Sequence, residues 1–266
     1  MAFGKPGGVN LLYVFENLPA KKESARQGED LFGHALKAFR ESLPPLHYGG
    51  HKSWISPFER WSGKPFLDLE NGTYRVIACE RNPGTIRLQL ESPRCRETGM
   101  TMVRTVTVNA NDPYLHLDHQ LWNHSDREVR CGLWNVTQTD NPSHVYYGIR
   151  PELSRHPHGV KNFAAHTPLP PFVRIEKNLA AIEIGQHKTA VKFGSDTAAG
   201  WLLSCRKDPE FEQTIYMLKK FPAFQPGEFP DDCSVEIYLF GDRSCVELEV
   251  LTPLVILPPG HCLEMR

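Results

Sequence analysis

Excess charge of either sign is missing from this chain: 30 lysines and arginines face 31 acids, for a net charge of −1 over 266 residues. Without a basic stripe there is no electrostatic footprint for nucleic acid, and no global field draws the chain to an anionic membrane. Long apolar runs are also missing. None approaches the ~18 residues that a membrane-spanning helix needs. The opening residues, MAFGKPGGVN, hold no apolar segment of the secretory kind, so a cytoplasmic location is expected. The seven cysteines, Cys79, Cys95, Cys131, Cys205, Cys233, Cys245 and Cys262, are odd in number, widely spaced and without a C-x-x-C pair. That excludes a zinc ribbon and a thioredoxin-type site and leaves reduced thiols as the reading. The N-x-[ST] triplets at Asn71, Asn123 and Asn135 carry no weight without a leader. Phosphate-binding glycine loops, a G-x-S-x-G elbow and an H-E-x-x-H pair are absent as well, and no cofactor is expected.

What is present is alternation. TIRLQLES sets Ile86, Leu88 and Leu90 against Arg87, Gln89 and Glu91. YLHLDHQLWN sets Leu115, Leu117 and Leu121 against His116, Asp118, Gln120 and Trp122. AAIEIGQ, SVEIYLFG and CVELEVL repeat the pattern. Period two buries one face and leaves the other polar, as antiparallel strands require. Turn chemistry separates the runs: ENG at 70–72, RNPG at 81–84, NANDP at 109–113, NHSD at 123–126 and FGD at 240–242. Many short strands with frequent turns predict a sandwich or barrel. One helix is expected over 29–43, where Phe32, Ala35, Leu36, Phe39 and Leu43 keep helical spacing before Pro44 and Pro45 stop it. Residues 151–171 and 220–232, rich in proline, read as functional loops. No internal repeat is present, and a single domain over 1–266 accounts for the length.

Three segments carry chemistry. GGHKSWISPFERW, residues 49–61, gathers His51 and Lys52 as polar groups and Trp54 and Trp61 as flat apolar faces. Sugars present C–H faces and hydroxyl edges, so their sites combine aromatic platforms with carboxylates, amides and histidines. CGLWNVTQTDNPSH, residues 131–144, places Trp134, Val136 and Gln138 on one strand face and Asn135, Thr137 and Thr139 on the other, with His144 beyond. Buried amides need partners, and sugar hydroxyls supply them. CVELEVLTPLVILPPGH, residues 245–261, places Glu247 and Glu249 on one face. Two acids side by side repel, which lifts one pKa toward the range of a general base. Each segment also has a plain structural reading: core tryptophans, a solvated polar strand and two exposed acids. His116, His119, His156 and His158 hint at metal, but a third ligand at a fixed offset is missing, so no metal is assigned.

Taken together and in order, GGHKSW (49–54), Trp61 with Phe66 to Asp68 and Tyr74, SPRCRETGMTMVRTVTV (92–108), DHQLWNHSDREVRCGLWNVTQT (118–139) and VELEVLTPLVILPPG (246–260) resemble the galactose mutarotase-like superfamily. More narrowly, they resemble its DUF4380-type branch, related to aldose epimerases. The resemblance implies an all-β fold, a large antiparallel β-sandwich of the supersandwich type, with a sugar held on a concave sheet face. It implies cofactor-free acid–base catalysis by a glutamate near the C-terminus and a histidine. Glu249 lies nearest that glutamate, but Leu251 and Pro253 depart from the residues that follow it in the family. The strand that supplies the histidine corresponds to WNVTQT, which has none; Gln138 sits near that place, and His51 or His144 would have to substitute.

Related chains carry a pair of strands ahead of the element seen here as GGVNLLYVFEN, so residues 1–45 read as lacking the first strands. The exposed sheet edge this leaves calls for a cover, either the 29–43 helix or a second subunit. The expected function is carbohydrate binding, with aldose or sugar-derivative epimerisation. Glu249, His51 and His144 are the catalytic candidates, and His51, Lys52, Trp54, Trp61, Asn135, Gln138 and Glu247 the binding ones. The alternatives are a non-catalytic carbohydrate-binding module and a metal-dependent cupin-like β-barrel enzyme. The expected partner is a small carbohydrate, with neither nucleic acid nor membrane.

Overall fold

The computed structural model describes residues 50–60, 65–70, 72–140, 142–164, 168–185, 189–207, 213–225, 227–241 and 245–266. The helix expected over 29–43, the GGVNLLYVFEN element and Trp61 lie outside them. In chain order the strands are β1 (His51–Ser56), β2 (Arg75–Asn82), β3 (Thr85–Glu91), β4 (Met100–Asn109), β5 (Leu115–Asn123) and β6 (Val129–Asp140). There follow β7 (His144–Ile149), β8 (Lys161–Asn162), β9 (Val173–Glu176), β10 (Leu179–Glu183), β11 (Val191–Ser195) and β12 (Ala198–Lys207). The last are β13 (Thr214–Lys220), β14 (Val235–Leu239), β15 (Cys245–Leu251), β16 (Val255–Leu257) and β17 (Cys262–Met265). The α-helix among the described residues is a single turn, α1 (Leu67–Glu70). The protein is all-β, and no described helix is long and apolar enough to cross a membrane.

The chain divides into two compact units, with the boundary inside β1 (after Lys52) and inside β6 (before Trp134). The first unit holds a sheet of order β1-β6-β15-β14-β11-β8 and a second of order β13-β12-β7-β10-β9. Alternation in β14 and β15 turns Val235, Ile237, Leu239, Val246, Leu248 and Val250 to one side, where each is at most 1% exposed. A Val, Ile or Leu buried this fully contributes about 1.5–3 kcal/mol. Val145, Tyr147 and Ile149 on β7, with Ile182 on β10 and Leu202 on β12, are buried to 0% exposure in the second sheet.

The second unit holds the antiparallel sheet β17-β5-β4-β3-β2. Its hairpin from β2 to β3 turns at Gly84, whose φ of 78° favours glycine. The face expected to be buried through Ile86, Leu88 and Leu90 is closed at one end only. Met100, Met102 and Leu121 are 0% exposed, whereas Ile86 is 52% and its cross-strand neighbour Val108 45% exposed. Ile86 lies beside the hairpin turn, where the strands run out beyond their cover. Among their described residues, the stretches 151–171 and 220–232 hold short 3-10 turns at Pro151–Leu153, Pro157–Gly159 and Pro230–Asp232, the two-residue β8 and the last residue of β13. All seven cysteines are free thiols.

Candidate functional site

Register in the first unit assembles an acid-lined sheet face from four strands. One cross-strand row runs Lys192 on β11, Tyr238 on β14, Glu247 on β15 and Gln138 on β6. The next runs Gly194, Glu236, Glu249 and Val136 on the same strands. Directly opposed residues share a face, so three carboxylates, an amide, a phenol and an ammonium come together. Trp134 lies two residues before Val136 and joins them. Gly194 has no room for a side chain: a Cβ there would stand 2.5 Å from Cys233 Sγ and 2.9 Å from Val235 O.

Lys192 organises the centre. Its Nζ is 2.5 Å from Glu236 Oε2 and 3.3 Å from Glu249 Oε2, and it lies 5.2 Å from the Trp134 ring centroid. Trp134 Nε1 donates to the same Glu249 oxygen at 2.7 Å. Burial pulls the Lys192 ammonium toward deprotonation, but the charges of Glu249 and Glu236 together outweigh it and hold the lysine charged. Glu236, 0% exposed, is pushed well above the usual carboxylate range, first by burial and then by the charge of Glu249, with Lys192 opposing. Glu247 is pushed up to about 7 by burial and then by Glu249, while the Gln138 hydrogen bond, Lys52 and Lys192 pull it back. Tyr238 is raised by burial and by Glu247, which keeps its O–H a donor.

Gln138 Nε2 donates to Glu247 Oε1 at 2.6 Å. Its other terminal atom, Oε1, is buried and has no hydrogen-bond partner among the described residues, whereas Glu236 meets Lys192 and the Glu249 carboxyl. Buried polar atoms without partners are rare and costly, at about 1–3 kcal/mol each. Gln138 Oε1 is therefore an acceptor in want of a donor beside Glu247.

Of the residues singled out in the sequence, the structure brings Gln138, Glu247 and Glu249 together on this face. Lys52 acts on Glu247 through its charge. His51 faces the other way: its Nδ1 is 2.8 Å from Thr137 Oγ1, and Thr137 alternates with Gln138. Asn135 also turns to that opposite side, and its carbonyl accepts from Lys219 Nζ at 3.4 Å. His144 belongs to the second sheet of the unit, where its ring stacks on Tyr146 at 5.8 Å. Trp54 lies in the second unit, 8% exposed, donating from Nε1 to Glu70 Oε2 at 2.5 Å. No histidine stands on the acid face of β6, β11, β14 or β15.

Two of the histidines considered as metal ligands have other partners. His116 pairs with Asp112 at 2.6 Å and His156 Nε2 meets Asp232 O at 3.0 Å. No group of three or more His, Cys, Asp or Glu side chains among the described residues could hold an ion. The sequence reading missed Lys192, Glu236 and Tyr238. The last two stood on the polar side of SVEIYLFG, where a glutamate between β-formers was the available signal.

No protein-family model matches the chain, and no curated protein sequence matches it. Solved structures do. A galactose mutarotase-like protein from Lactobacillus casei aligns over 99% of this chain and 90% of its own, with 9% identity and a TM-score of 0.52. A galactose mutarotase-like protein from Clostridium acetobutylicum aligns over 98% and 85%, with 8% identity and a TM-score of 0.50. An Escherichia coli K12 protein provisionally assigned as an aldose 1-epimerase aligns over 84% and 86%, with 11% identity and a TM-score of 0.50. With three antiparallel sheets and this likeness across nearly its whole length, the chain has the galactose mutarotase-like fold.

Proposed function

We propose that this protein binds a carbohydrate on the acid-lined face of β6, β15, β14 and β11 and interconverts its anomers. The observation that carries the reading is the Gln138–Glu247 pair. A carboxyl that titrates at about 7 stands beside a buried amide oxygen that lacks a donor. Glu247 is also the less buried of the two neighbouring acids, since Glu249 is 1% exposed. The proton-transfer role therefore moves from Glu249 to Glu247, and Glu249 becomes the charge that sets the acidity of Glu247.

One carboxyl suffices for the reaction, because the anomeric oxygen and the ring oxygen are bonded to the same carbon. Glu247 as carboxylate takes the proton of the anomeric hydroxyl as C1=O forms and the bond from C1 to the ring oxygen breaks. The electron pair goes to the ring oxygen, which then receives the proton back from Glu247. Rotation about C1–C2 and reversal of the steps give the other anomer. A pKa near the working pH suits both half-reactions. Polarimetry of freshly dissolved D-galactose and D-glucose tests this. The protein should speed equilibration and Glu247→Gln should not; equal rates for the two proteins would overturn the assignment.

A second reading, a carbohydrate-binding module without catalysis, is favoured by one observation: among the described residues, β6, β11, β14 and β15 bring no histidine to this face. It predicts a ligand-induced rise in melting temperature that Glu247→Gln keeps, with no rate enhancement from either protein.

A further inference from the structure

In the second unit, Arg104 on β4 stands opposite Leu90 on β3 and His119 on β5. Its guanidinium lies over the Tyr74 ring, 4.7 Å from the centroid, and the Tyr74 hydroxyl is committed as a donor to Leu69 O at 2.8 Å. Two of its nitrogens, Nε and Nη2, are shielded from solvent and have no hydrogen-bond partner among the described residues. These nitrogens form one edge of the guanidinium, with parallel N–H bonds spaced to meet both oxygens of a carboxylate. The same unit shows that edge in use. Arg96 holds Asp68 through Nε to Oδ2 at 3.2 Å and Nη2 to Oδ1 at 3.0 Å. Arg104 presents the same fork without an acid in it.

Arg104 also makes a side-chain hydrogen bond with Tyr74, but two buried donors of a permanently charged group left without acceptors are costly. Glu70, the acid whose charge acts on neighbouring Tyr74, is engaged by Trp54 Nε1. We propose that Arg104 is a binding site for a small carboxylate-bearing molecule, held bidentately through Nε and Nη2 with Tyr74 as the floor. Arg104 as a whole is half-buried, so part of its side chain reaches solvent. A carboxylate fits better than a phosphate, because a phosphate dianion calls for more cationic groups than this lone guanidinium. The assignment stands on its own and does not depend on the sugar reading for the first unit.

Calorimetric titration and thermal shift with sodium acetate, D-glucuronate, D-glucose and inorganic phosphate test it on wild type, Arg104→Lys and Arg104→Met. Wild type should bind D-glucuronate about ten-fold or more tighter than D-glucose, and acetate should raise its melting temperature. Arg104→Lys, which keeps the charge and loses the fork, should lose most of that preference. Arg104→Met should melt no lower than wild type and ignore acetate. Equal affinity for glucuronate and glucose, a preference that survives both substitutions, or phosphate binding as tight as glucuronate would each overturn the carboxylate assignment. Glucose binding without the preference leaves the sugar reading standing alone. Acetate and glucuronate binding without glucose supports Arg104 and counts against the sugar reading.

Discussion

On one face of the β6–β15 pair, Lys192 sits between two glutamates; on the other, Lys219 meets only neutral oxygens. Lys219 Nζ lies 3.1 Å from Thr137 Oγ1, 3.3 Å from Leu248 O and 3.4 Å from Asn135 O. Both ammonium groups are deep, yet their acidities move in opposite directions. Lys192 is pushed up because two carboxylate charges exceed the cost of burial, while burial pulls Lys219 down to about 7 because only the more distant Glu249 opposes it. Burial alone does not decide the charge of a buried lysine; the partners within reach do. The same contrast separates a face with an acceptor left over from a face packed by Val235, Ile237 and Leu248.

The largest expected effect tests whether only one face is chemical. Glu247→Gln should cut mutarotation by about 10²–10⁴-fold, whereas Lys219→Met should leave the rate within about two-fold, since that side chain touches only the packed face. Polarimetry reads both, and a large loss in the lysine variant would erase the distinction. Next in size, Lys192→Met strands Glu249 and Glu236 without their cation and should cost about 3–5 kcal/mol in urea unfolding. Lys219→Met at pH 6 removes a charge that has no close counter-ion and should leave stability unchanged or raised. If the two variants lose equal stability, the account of the two lysines fails.

The pH dependence of stability sharpens the comparison further. Folded Glu247 titrates at about 7, above its unfolded value of ~4.3. The folded state therefore holds more protons between those values, and stability falls as pH rises through that window. Folded Lys219 also titrates at about 7, below its unfolded value of ~10.4. The unfolded state then holds more protons, and stability rises from pH 7 upward. The two groups together should give a minimum near pH 7. Glu247→Gln should flatten the acid limb and Lys219→Met the alkaline one, each read from urea midpoints across pH. The smallest effect is Trp134→Phe, which removes the donor to Glu249 and should cost about 1 kcal/mol.

Much of the strand content was legible because period two has a single structural meaning: β3, β5, β10, β14 and β15 lie where the alternating runs predict them. The shared face of Glu247 and Glu249, and that of Trp134 and Gln138, followed from the same period. Which side of β1 carries His51 did not follow, because a strand's alternation says that neighbours part and not which of them meets Gln138. Nor did the burial of Ile86: a pattern marks an apolar face, but only the fold says how far the cover extends over it.

The amino-acid order alone determined that this is an all-β protein with paired acids on one strand face, since side-chain alternation is a local property of extended backbone. The tertiary structure decided that Lys192 and Glu236 join those acids, that Lys219 stays among neutral oxygens, and that the Nε–Nη2 edge of Arg104 is left without an acid. Those outcomes depend on cross-strand register and on what packs opposite each group. Register and packing bring together residues dozens of positions apart, and no short window of sequence encodes them.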